Sequence, residues 1–220
     1  MCLFIYRRWA LTPVLLIQDV SMHISDGVLS GQICAATAVA TVVIAGLVLK
    51  KTDRKEIPKI AVMTAAFFVA SLLHIRLGPA SVHLLLNGLV GVVLGLAAFP
   101  AIMIALLFQA VMFQHGGITT LGANTLIMGL PAIVSWGIFQ LKGKFRGSVT
   151  ALRILSFTGG SVAILLSGGL MAFVLVLAGS EFIATAKVIV AAHIPVALIE
   201  GVITVLVVEF FVKVKPELVQ

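Results

Sequence analysis

Charge is scarce in this chain. It has 15 basic and 8 acidic residues, 10% of the sequence, against 61% hydrophobic residues. A soluble domain of this size needs far more polar surface, because so many apolar residues cannot all be buried in it. Cysteine is scarce too: Cys2 and Cys34 form neither a disulfide framework nor a CxxC pair, and Cys34, inside an apolar run, reads as packing. No GxxxxGK[ST] phosphate loop, HExxH pair or GxSxG elbow occurs. ATP-driven work therefore needs another polypeptide, and a zinc protease or serine hydrolase of the common kinds is not expected. The formal net charge is +7, but the basic residues sit in short clusters between apolar runs. That placement controls membrane topology and does not suggest a nucleic-acid partner.

Long apolar runs are what the chain has in abundance. Those of about 17 to 25 residues are long enough to cross roughly 30 Å of hydrocarbon as helices. The pattern predicts an all-α polytopic membrane protein with about seven transmembrane helices in one bundle. The spans fall near 29–49, 57–75, 82–98, 100–114, 123–141, 153–179 and 188–211. Basic clusters stand at "KKTDRKEIPK" (50–59), "KGKFRGSVTALR" (142–153) and "KVKPE" (213–217). The positive-inside rule puts all three in the cytoplasm. The count between them is self-consistent, with four spans between the first two clusters and two between the last pair. The C-terminus is then cytoplasmic, and Met22-His23 lies outside. Residues 74–83, 115–124 and 179–187 become outer loops, so His23, His74, His83 and His115 are expected at the outer surface with His193 just below it.

Imidazole is the commonest side-chain ligand for transition metals. If Met22 began the protein, its amine, the His23 amide nitrogen and the His23 imidazole could chelate one ion in fused rings, with His83 as a fourth nitrogen donor. Four coplanar nitrogens suit Ni(II) or Cu(II). The plainer reading is a solvated His23 and a His83 that caps the third span. His74, beside Arg76, reads as an interfacial polar residue. "HGGITTLGANTLIMGLP" (115–131) is polar and glycine-rich between two short spans, an arrangement tolerated at membrane depth only where protein or water covers it. It is expected to fold over a site, with His115, Gly116, Gly117, Thr119, Thr120 and Asn124 shaping the pocket or acting behind the ligands; an ordinary outer loop is the alternative. His193 and Glu200, seven residues apart, share a helix face and form a possible intramembrane pair. Small residues line one face at Gly88, Gly91 and Gly95 and another at Ala36, Thr37, Ala40, Thr41 and Ala45, suited to close helix contacts.

"MHISDGVLS", "GPASVHLLLNGLVGVVLG", "FQHGGITTLGANTLIMGLPA" and "HIPVALIEGVIT", in this order, resemble the CbiM/NikM family. These are the substrate-capture (S) components of energy-coupling-factor cobalt and nickel transporters. The resemblance runs from Met22 to about position 212. It implies a metal site at Met22, His23 and His83, a glycine-rich loop at 116–124 shaping the pocket, and Ni2+ or Co2+ as the transported substrate. It also implies a transmembrane coupling (T) component, cytoplasmic ATP-binding subunits and a small accessory membrane subunit as partners, in the cell (inner) membrane. The expected product is thus no enzyme but the substrate-binding component of an ATP-driven importer. A self-sufficient secondary transporter coupled to protons through His193 and Glu200 is the alternative. Residues 22–212 form a single metal-capture domain and 213–220 a cytoplasmic tail. The extension 1–21 departs from the family pattern, since an acylated Met22 nitrogen is a far poorer ligand. It is expected to be a mis-assigned start, with a processed signal or a retained segment as the other options.

Overall fold

A computed structural model describes residues 23–72, 74–77, 80–145 and 147–219, with the strand residues 74–77 and 80–83 described by their backbone. Seven α-helices occur among them: α1 (Gly31–Lys51), α2 (Ile57–Ala70), α3 (Asn87–Leu94), α4 (Ala98–Phe113), α5 (Leu121–Gln140), α6 (Val149–Ala178) and α7 (Ile183–Val214). The expected helical bundle is found, with one addition. Residues 74–83, read as a loop, form an antiparallel hairpin of β1 (His74–Leu77) and β2 (Ala80–His83), with His74 opposite His83.

Local chemistry sets the helix ends. The Ser30 and Ser148 hydroxyls accept the Ile33 and Ala151 amides, supplying N-caps to α1 and α6. Lys50 and Lys51 close the last turn of α1, where positive charge complements the helix dipole. Pro131 and Pro195 lie inside α5 and α7, which a packed membrane bundle tolerates because neighbouring groups cover the freed carbonyls.

Among the described residues, five helical stretches, not seven, are long and apolar enough to cross a membrane: Gly31–Lys51, Asn87–Phe113, Leu121–Lys144, Val149–Ala178 and Ser180–Val214. One shortfall is α2, whose 14 residues reach roughly 21 Å at 1.5 Å per residue. The other lies in Asn87–Phe113, where α3 and α4 are counted together. That stretch turns back on itself at Gly95, whose φ of +60° is open to glycine. Contacts with α5 show the reversal. Gly91 abuts Ala132 and Gly95 abuts Trp136, but Phe99 on α4 is back at Gly129. So α3 descends beside α5 from mid-depth, and α4 climbs again.

The bundle is inverted relative to a soluble protein. Large apolar side chains such as Val42, Val62, Phe173, Leu198 and Leu206 face outward, while Asn87, Ser135, Ser167, Glu200 and Thr204 are buried. Outward apolar residues are what a lipid solvent requires, and buried polar groups must then find partners inside the protein. The chain is a multi-pass membrane protein.

Candidate metal-capture site

The segment after Met22 is clamped onto the start of α5. The Ile24 amide donates to Asn124 Oδ1 at 2.9 Å, and Asn124 Nδ2 returns a bond to the Ile24 carbonyl at 2.9 Å. The Thr120 hydroxyl donates to the same carbonyl at 2.7 Å. Thr120 and Asn124 stand one helical turn apart, so both face the incoming chain. Two residues on, the Asp26 carboxylate accepts the amides of Ile118 at 3.3 Å and Thr119 at 3.0 Å, together with the Thr119 hydroxyl. The Thr119 hydroxyl bond is the largest influence on Asp26; with the backbone amides it outweighs slight desolvation and holds the carboxyl below its ordinary range.

Two glycines make this approach possible. A Cβ on Gly117 would lie 2.0 Å from Asp26 Oδ1. Gly116 has φ +76°, and a Cβ there would meet Asn124 Nδ2 at 3.0 Å and the His23 Cβ at 3.3 Å. His23 is consequently 4% exposed and Ile24 2% exposed, which overturns the plainer reading of a solvated His23.

His115 is half-buried at the end of α4. Its ring tilts against Phe113, and its amide donates to the Gln109 carbonyl at 3.2 Å. His83 ends β2, directly across the hairpin from His74. Met22 and the His83 side chain lie outside the described residues; among those described, no three His, Cys, Asp or Glu side chains form a metal-binding group. His193 and Glu200 are both buried but separately engaged. His193 Nδ1 lies 2.7 Å from the Ile189 carbonyl and its ring packs on Gly168, whereas Glu200 accepts the amides of Leu85 and Leu86. Asp26 carries no role in the sequence reading. Its signal was an acid three residues after His23, facing a glycine pair far along the chain.

The family model for the cobalt uptake substrate-specific transmembrane region, CbiM, matches residues 23–218. A putative metal transport protein of Haemophilus influenzae is 35% identical over 197 residues, covering 89% of this chain and 96% of that protein. The fused nickel transport protein NikMN of Rhodobacter capsulatus is 37% identical over 158 residues, covering 66% of this chain and 46% of the fusion. Among solved structures, a truncated transition metal transporter superposes with a TM-score of 0.71 at 28% identity, covering 87% of this chain and 98% of that one. A matched model spanning most of the chain, with relatives that transport metals, places this protein in the CbiM family of cobalt and nickel transport proteins.

Proposed function

We propose that the chain is the substrate-binding membrane component of an ATP-driven, energy-coupling-factor importer for Ni2+ or Co2+. The Met22 amine, the His23 amide nitrogen and imidazole, and the His83 imidazole are the donors. The observation that carries this reading is the double clamp on Ile24 and Asp26. It fixes the backbone next to Met22-His23 and buries His23, so little ordering remains to be done when the ion arrives. His115, Gly116, Gly117, Thr119, Thr120 and Asn124 act behind the donors, holding the chain that presents them. Mature protein begins at Met22 in this reading, because only a free amine closes the chelate.

Seven crossings remain the best topology. The α3 arm and α2 are short, yet α3 descends and α4 returns, so the basic clusters end on one side. That side is the cytoplasm, by the positive-inside rule, and the metal enters from the opposite face. The coupling component and ATP-binding subunits supply the nucleotide chemistry that this sequence lacks. That one relative is a fused nickel transport protein is in keeping with a partner subunit. The proton-coupled alternative loses its relay, since His193 and Glu200 have different partners.

Titration calorimetry of the purified protein tests the site. Ni2+ and Co2+ should bind the parent, and His23→Ala and His83→Ala should each abolish tight binding. Unchanged affinity in both variants sinks the site, and an intact residue 1 in the active mature protein, seen by mass spectrometry, sinks the amine ligand.

A further inference from the structure

Glu200 lies at mid-length on α7 and is 1% exposed. A carboxylate at such a position is costly unless its oxygens are filled by donors. The donors come from the link between β2 and α3. The Leu85 amide donates to Oε1, and the Leu86 amide lies 3.0 Å from Oε1 and 2.9 Å from Oε2. Leu86 has φ +52°, a left-handed conformation that a branched side chain adopts only when its surroundings hold it there. α3 begins at the next residue and receives no side-chain cap from Leu86 itself. The α7 carboxyl instead takes the Leu86 amide, one of those that the start of a helix leaves without an intrahelical partner. Asn87 extends the anchorage, its Nδ2 donating to Ser167 Oγ at 2.8 Å and to the Met128 carbonyl at 3.2 Å. His83 is two residues before Leu85.

We propose that Glu200 is a positioning residue for metal capture: a latch that holds residues 84–86 against α7 and so sets where His83 stands. This rests on His83 being a metal donor. A link held only by its own backbone would let the hairpin shift relative to His23, whereas a buried side chain accepting two successive amides fixes the strand end to the bundle.

Hydrogen exchange and Ni2+ calorimetry on the purified protein test the latch. Glu200→Gln keeps the shape and one acceptor but replaces the other oxygen with an NH2 donor that cannot accept an amide. Peptides covering 80–90 should then exchange at least about tenfold faster while those of α6 stay unchanged, and Ni2+ affinity should fall by about 10- to 100-fold. Glu200→Asp, one methylene shorter, should fall between. Unchanged exchange in 80–90 overturns the latch; faster exchange with parental affinity overturns its role in capture. If His83→Ala binds Ni2+ as tightly as the parent, the donor assignment fails, and exchange alone decides whether Glu200 anchors the link. Should the Gln variant not fold, the unmodified protein decides, because Leu85 and Leu86 amides exchanging as fast as those of 74–83 would refute the latch.

Discussion

At the scale of single residues, the site is a matter of backbone groups finding partners. Ile24 is 2% exposed, so its amide and carbonyl must be satisfied within the protein, and Asn124 serves both. Asn124→Ala leaves that amide buried and unpaired, at a cost of about 1–3 kcal/mol. Thermal unfolding should shift down accordingly, with metal affinity reduced in parallel. Gly117→Ala acts by space: its Cβ would enter the Asp26 carboxylate, and relief requires the 23–26 segment to move. Calorimetry should show weakened metal binding with the helical content by circular dichroism retained.

Asp26 yields a prediction about pH. Its folded-state pKa is lowered, so its contribution is complete above the ordinary carboxylate value of about 3.9 and is lost only as pH falls through the lower folded value. Across pH 5 to 8 that contribution is constant. An amine and an imidazole, with ordinary values of about 7.7–8.0 and 6.5, titrate within this range and must lose protons to bind metal. Affinity should therefore fall as pH drops from 8 to 5, and Asp26→Asn should lower the whole curve without moving its midpoint. A shifted midpoint in that variant would mean that Asp26 takes part in the proton exchange.

Elements behave according to what their small residues touch. On α3, Gly88 faces Gly160, and Gly91 faces the Ala132 carbonyl, where a Cβ would lie 2.0 Å away. Gly91→Ala should destabilise the bundle by about 1–3 kcal/mol, as overpacking does, read as a lower melting temperature in detergent. Gly46→Ala on α1 meets nothing within 4 Å and should leave that temperature unchanged or raise it. The α1 face divides: Thr41 bonds the Gly122 carbonyl at 2.9 Å and Ala45 is buried, whereas Ala36 is exposed. Only 11% of the most apolar part of α1 is buried, so that helix presents mostly lipid-facing or partner-facing surface.

Across the whole molecule, basic residues distant in sequence gather at one end. Lys51 and Lys59 line a cleft of about 430 Å3 with Trp136 and Gln140. Lys55, Lys59 and Lys215 line a second, and Lys142 donates to the Val219 carbonyl. Arg153 and Glu209 form an ion pair between α6 and α7. His23 and the 116–120 turn lie toward the opposite end. With Cys2 and Cys34 changed to Ser, a cysteine at Lys144 should react only with reagent from the cytoplasm, and one at Ile118 only with reagent from outside. The swapped pattern would reverse the topology, and labelling of both from one side would refute their standing on opposite faces.

The helical class was legible in the sequence, because hydrocarbon demands long apolar runs and every backbone group bonded within the helix, but five stretches and not seven among the described residues are long enough to cross. The gathering of basic clusters was legible too, since charge at helix ends follows the same demand. The sequence also singled out Gly116, Thr120, Asn124 and Glu200 as chemically unusual, though not what each would touch. Tertiary structure alone decided that Asn124 would grip a peptide 100 residues earlier, that Asp26 would staple the glycine turn, and that Glu200 would take the Leu85 and Leu86 amides and leave His193 to Ile189. It also set at Gly95 the reversal between two arms that the apolar pattern had divided near 99. The reason is physical: hydrophobic length is a local property of the chain, whereas the partner of a buried polar group is chosen by whatever the packed helices bring within 3 Å of it.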